Sequence, residues 1–114
     1  MNSLQIARAC AQAADMKKAE DIVILDLRGI SSITDFFVIA SGHAEPHLKA
    51  VRNEIEKNLK EKGVFAHGID GLPMSQWIVM DYLDALVHLF AKDRREFYSL
   101  ERLWGDAPRI NWQD

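Results

Sequence analysis

The sequence predicts a small α/β fold, a mixed five-stranded sheet with flanking helices, in one domain over residues 1–114. Three observations carry that expectation. The runs Ile22-Val-Ile-Leu-Asp-Leu27 and Phe36-Phe-Val-Ile-Ala40 are nearly unbroken apolar strand formers, as in strands covered on both faces. Two other stretches repeat apolar residues at helical spacing, one around Leu4, Ala7 and Ala14, the other around Leu48, Val51, Ile55 and Leu59. The segment Trp77-Ile-Val-Met-Asp-Tyr-Leu-Asp-Ala-Leu-Val-His-Leu-Phe90 reads as two β runs broken at Leu83-Asp84, hence as an antiparallel hairpin.

Taken in order, Ser3 is placed to cap a first helix over Leu4–Asp15, with Cys10 or Ala11 completing its apolar stripe. Ile22–Leu27 is the first strand. Arg28–Asp35, with Gly29 and several hydroxyl residues, is a structured loop before the strand Phe36–Ala40, which Ser41-Gly42 ends. Pro46 suits the first turn of the second helix, where its missing N–H costs nothing, and Gly63 suits its end. That helix should cross the sheet and deliver Val64-Phe65-Ala66 as a third strand. His67–Gln76, holding Gly68, Gly71 and Pro73, reads as a loop. After the hairpin, Asp93 and Glu96 suggest a capping box. Phe97, Leu100 and Trp104 then give the last helix its buried stripe, and Gly105 and Pro108 stop it. The order is α-β-β-α-β-β-β-α.

The hairpin organises the rest. With Tyr82 paired to Ala85 across a two-residue turn, alternation sorts its side chains into two sets. Ile78, Met80, Tyr82, Ala85, Val87 and Leu89 form a core face. Trp77, Val79, Asp81, Leu86, His88 and Phe90 mix aromatic and ionisable groups, and that face is expected to meet a partner.

Composition narrows the partner. The net charge is −3, and lysines and arginines alternate with acids, so direct nucleic-acid binding as the main activity is disfavoured. A basic protein surface suits it better. No apolar run reaches the ~20 residues of a membrane span, and no targeting segment is evident. The lone Cys10 cannot form an internal disulfide. All of this points to a cytoplasmic protein with no membrane partner. Cys10, among alanines, is expected to be a small core residue.

The chemistry-bearing groups offer little convergence. His43 and His47 have the spacing of a zinc pair but lack a third ligand, so two surface histidines and no metal is the preferred reading. A nucleotidyltransferase-like enzyme would need carboxylates grouped for a divalent metal, and Asp81 and Asp84, with Asp26 and Asp35, are the candidates. Asp81 and Asp84 lie three apart across a turn rather than two apart on one strand, and Ser41-Gly42 reverses the Gly-Ser order of a phosphate loop. Walker A, Gly-x-Gly-x-x-Gly and Gly-x-Ser-x-Gly motifs are absent from the sequence, so no cofactor and no catalytic residue is assigned. A binding protein is favoured, with Trp77 as anchor and Asp81 and Asp84 meeting basic groups.

Three blocks carry a resemblance. Asp26-Leu-Arg-Gly-Ile-Ser-Ser-Ile-Thr-Asp-Phe-Phe-Val-Ile-Ala-Ser-Gly42, Trp77–Phe90 and Glu96-Phe-Tyr-Ser-Leu-Glu-Arg-Leu-Trp-Gly-Asp-Ala-Pro108 resemble, in order, the ribosomal silencing factor (Iojap, RsfS) family. The resemblance implies a fold related to nucleotidyltransferases without their active site. It implies translational repression when nutrients are short. The factor would bind the large ribosomal subunit through large-subunit protein fourteen and block joining with the small subunit. Carried onto this chain, it implies contacts by Trp77, Asp81, Tyr82, Asp84 and His88. Leu83 stands where the family often has Gly. An exposed sheet edge would also leave room for a homodimer.

Overall fold

The computed structural model describes residues 1–71 and 75–113, so Pro73 of the expected loop lies outside the described residues. The elements are α1 (Ser3–Met16), β1 (Glu20–Asp26), β2 (Phe36–Gly42), α2 (Glu45–Glu61), β3 (Gly68–Gly71), β4 (Trp77–Asp81), β5 (Ala85–Ala91), α3 (Lys92–Tyr98), α4 (Leu100–Leu103) and β6 (Arg109–Ile110). The mixed sheet has the order β3-β4-β5-β2-β1-β6, with β2 and β5 parallel and the other neighbours antiparallel. It has six strands rather than five, because the segment after α4 returns to pair two residues with β1. No helix among the described residues is long and apolar enough to cross a membrane.

One face of the sheet carries the main core. Ile24, Phe36, Val38 and Ala40 join Ile78, Met80, Tyr82, Ala85, Val87 and Leu89 there, beneath the stripes of α1 and α2. Cys10 sits in this core fully buried, as expected. The cap of α1 is Asn2, not Ser3: its Oδ1 accepts from the Gln5 N–H at 2.8 Å, and Gln5 Oε1 accepts the Asn2 N–H in return. Pro46 lies in the first turn of α2, and Gly63, at φ +79, follows its cap.

The third strand is displaced from its expected place. Val64 and Ala66 do turn toward the core, but Phe65 is 61% exposed and the run pairs with no strand among the described residues. Pairing begins where the His67 N–H meets the Asp81 carbonyl at 2.7 Å, so β3 is Gly68–Gly71, inside the segment read as a loop. Gly71 is obligatory there. Its φ is +122, and a Cβ would lie 1.9 Å from the Trp77 carbonyl oxygen.

The last helix is also corrected. It is two short segments, because Ser99 adopts the left-handed conformation at φ 54 and resets the phase. Phe97 therefore points to solvent at 71% exposure, and Tyr98 takes the inward place expected of Phe97. Asp93 does not cap; Ala91 occupies the N-cap, with no side-chain hydrogen bond.

Candidate interaction surface

The hairpin folds in the expected register. Trp77 pairs with Phe90, Val79 with His88 and Asp81 with Leu86, and the Tyr82 N–H reaches the Ala85 carbonyl at 2.9 Å. Its outer face is not wholly open. Leu25, Leu27, Phe37, Ile39 and Phe90 form a second core there, against which Trp77, Leu86, Tyr98, Leu100 and Trp104 pack. The expectation of a free partner face is thus corrected for its middle, which the two short C-terminal helices cover.

His88 lies inside this second core. The Trp77 Nε1–H donates to His88 Nδ1 at 3.1 Å, while Phe37 meets the imidazole edge-on with ring centres 4.5 Å apart. Because Nδ1 accepts, the ring proton sits on Nε2, which has no hydrogen-bond partner among the described residues. Burial pushes the His88 pKa from 6.5 down to about 4, so the ring is neutral at pH 7. Trp77 itself is half-buried, stacked at a tilt between Phe90 and Tyr98 with centroids 5.0 and 4.6 Å away. The Tyr98 hydroxyl donates to the Ser75 carbonyl at 3.0 Å and ties α3 to the chain entering β4.

The expected contact residues therefore fall into three environments. Tyr82 belongs to the main core at 3% exposure, its hydroxyl without a partner among the described residues, and burial raises its pKa. His88 is buried in the second core, so a partner reaches neither side chain without rearrangement. Trp77 closes one end of the outer face. Asp81 and Asp84 stand at the other end, about 13 Å along the strand at 3.3 Å per residue. Asp81 Oδ1 accepts the Leu83 N–H at 2.8 Å, and Asp84 is exposed.

What stays accessible is the rim on β3 and β4. Val79 and Asp81 are half-buried, and Asp70 of β3 lies opposite Val79 on the same face. Asp70, Asp81 and Asp84 have no ion-pair partner among the described residues. Asp70 and Tyr98 carry no site signal in the sequence, Asp70 because Gly68–Gly71 reads as a loop and Tyr98 because the helix break at Ser99 is invisible to periodicity. Alternation between Gly68 and Gly71 is too short a signal to find the strand.

Among the described residues, the side chains named for the alternative chemistries form no metal-holding group. Asp26 is held by Arg28 in a two-pronged pair at 2.8 and 3.0 Å, which keeps its pKa below the usual carboxylate range. It also lies two strands from the hairpin, about 10 Å. His47 Nε2–H donates to the Lys17 carbonyl at 2.7 Å and its Nδ1 accepts the His43 N–H, while His43 pairs with Glu20. Among the described residues no three His, Cys, Asp or Glu side chains are grouped for a metal ion.

The family described as "Ribosomal silencing factor during starvation" matches residues 1–114. A Bacillus subtilis ribosomal silencing factor is 41% identical over 108 residues, which is 95% of this chain and 92% of that protein. A mouse protein named for mitochondrial assembly of the ribosomal large subunit is 32% identical over 77% of this chain and 40% of its own length. A crystal structure of a Chromobacterium violaceum protein superposes with a TM-score of 0.87 at 30% identity, covering 92% of this chain and 88% of that one.

Proposed function

We propose how this chain, which belongs to the family of ribosomal silencing factors, silences ribosomes: it binds the large subunit and blocks joining with the small subunit sterically. The observation that carries the reading is the acidic rim of the hairpin. Three carboxylates with no ion-pair partner among the described residues, Asp70, Asp81 and Asp84, border a half-buried apolar strand face that ends in Trp77. Such a rim attracts a basic protein surface and repels phosphate, which favours contact through a ribosomal protein rather than through RNA. Large-subunit protein fourteen is the proposed partner, and the name of the mouse relative supports the choice of subunit.

In this reading the protein does no catalysis and works where its ribosomes are, in the cytoplasm. Asp81 and Asp84 act as docking charges rather than metal ligands. The outer edge of β3 would serve a homodimer only in the free protein.

Gradient sedimentation with separated subunits tests the reading. The protein should travel with large subunits, not small ones, and should reduce the yield of joined ribosomes. If it stays at the top of the gradient beside intact large subunits, at concentrations well above micromolar, the reading fails. A Mg²⁺-dependent thermal shift with nucleoside triphosphates would instead move the assignment to an enzyme.

A further inference from the structure

The hairpin tip presents something the acidic rim does not require. Leu83 is 55% exposed and held at φ +65, a conformation that costs a leucine and that glycine or asparagine adopts readily. The structure holds it there from three sides. Asp81 Oδ1 accepts the Leu83 N–H at 2.8 Å, the buried Thr34 hydroxyl donates to the Leu83 carbonyl at 2.8 Å, and the Asp84 N–H closes on the Tyr82 carbonyl at 2.7 Å. The Thr34 bond also brings the loop 28–35 against the tip, and that loop exposes Ile33 at 71% and Ile30 at 45%. An observed backbone outlier that displays a large apolar side chain, beside two more, is a sign of use.

Charge identifies the occupant. Asp81 and Asp84 flank Leu83 at the tip and Asp35 follows Thr34 in the loop; none has a salt-bridge partner among the described residues, whereas Asp26 is paired with Arg28, whose charge also acts on Asp35. We propose that Leu83, Ile33 and Ile30 form an apolar anchor for a lysine- and arginine-bearing protein segment, oriented by the carboxylates of Asp35, Asp81 and Asp84. The proposal rests on the large-subunit reading above and locates its energetic centre at the tip rather than at Trp77. RNA is a poor fit, since branched aliphatics offer bases no aromatic platform and the acids repel phosphates. A second copy meeting tip to tip is a poor fit too, because two-fold symmetry would set aspartates against aspartates.

The test uses the full chain and purified bacterial large subunits. Wild type, the double variant Ile33→Ser/Leu83→Asn and the control Phe65→Ser, which removes an equally exposed ring elsewhere, are compared by sedimentation. Thermal melts should be similar for all three, since each site is exposed. The double variant should bind at least about tenfold more weakly, while the control binds like wild type. If wild type binds and the double variant binds equally well, the anchor is refuted while the large-subunit reading stands. If wild type itself does not bind, the earlier reading fails first. Should the double variant melt early, Asp35→Asn/Asp84→Asn decides instead: its affinity must fall at low salt and converge with wild type at high salt. Equal affinity for deproteinised large-subunit RNA, or a wild-type dimer that the double variant makes monomeric, would overturn the choice of occupant.

Discussion

The two faces of the β4–β5 hairpin arise from one alternation of side chains, yet they are closed in different ways. The inner face meets two long helices whose buried stripes, Leu48, Val51, Ile55 and Leu59 on α2 among them, seal it completely. Opposite it, two short helical segments of seven and four residues, with no fully buried side chain of their own, lean on the outer face and leave its β3–β4 rim half exposed. Where long amphipathic helices cover a sheet, the result is a core and nothing else. A broken helix over the other side makes a thin second core with an accessible margin, and a protein can recruit that margin for docking. The difference lies in the covering elements, not in the strands.

The sharpest way to break this comparison is to ask whether the outer cluster is a core at all. Phe90 is 0% exposed on that face, and Met80 is 0% exposed on the inner one. Truncating either to alanine should cost ~3–5 kcal/mol for Phe90 and ~2–5 kcal/mol for Met80 in denaturant melts. A loss below ~1 kcal/mol for Phe90→Ala would mean that the short helices do not close the face and that the whole outer surface is available.

His88 separates the faces by pH, because the only buried histidine lies in the outer cluster among the described residues. Its folded pKa of about 4 is below the unfolded value of 6.5, so the unfolded chain binds the extra proton in that window. Stability from the neutral ring is therefore complete above pH 6.5 and is lost as pH falls toward 4, by up to about 3 kcal/mol. Protonation would also take away the acceptor for the Trp77 indole N–H. Melts between pH 7 and 4 should show wild type losing this much more than His88→Phe, which cannot titrate. Parallel pH curves for the two would show that the imidazole is solvated.

Trp77 marks the boundary between closed and open regions of the outer face. Being half-buried, it should cost about 2 kcal/mol of stability when replaced by alanine, less than the full range for a buried aromatic. If stability instead stays within ~0.5 kcal/mol of wild type while large-subunit binding collapses, the indole is a free anchor, and the tip loses its proposed primacy. A Trp77→Ala chain that fails to fold while Met80→Ala folds would mean that the faces are reversed.

Much of this fold was legible because it is written in local signals. The apolar runs gave β1 and β2, Pro46 and Gly63 bracketed α2, and the period of two placed Ile78, Met80 and Tyr82 on one side and Trp77 and Phe90 on the other. What stayed hidden depends on contacts far apart in the sequence. β3 exists because Gly68–Gly71 finds β4 as a partner, and its glycines carry no strand propensity. The left-handed Ser99 that turns Tyr98 inward and Phe97 outward has no residue-type signature, since serine is not among the residues that routinely adopt positive φ. For the candidate site the same division holds. Alternation identified the outer face, but not that a second core swallows His88, nor that Asp70 and the loop carrying Ile33 come alongside.

The smallest expected effect, at Leu83, tests the comparison at its most local point. Leu83 at φ +65 bears a strain that a residue with a free choice of conformation would not carry, roughly 1–2 kcal/mol for an L side chain in the left-handed region. Leu83→Asn relieves part of that strain, because asparagine visits this region with a short polar side chain and does not enlarge the unfolded ensemble as glycine does. Against the gain stands the loss of whatever apolar contact a side chain 55% exposed still makes, at most about 1 kcal/mol. The balance should be a stabilisation of about 0.5 kcal/mol. Leu83→Val places a β-branched residue at the same positive φ and should destabilise by about 1 kcal/mol, so the two variants bracket wild type in a denaturant melt. If valine is tolerated as well as asparagine, the tip is relaxed and the turn gives no reason to display a leucine. If the bracket holds, the chain keeps a costly side chain exposed on the margin that the inner face lacks, and stability is not what maintains it there.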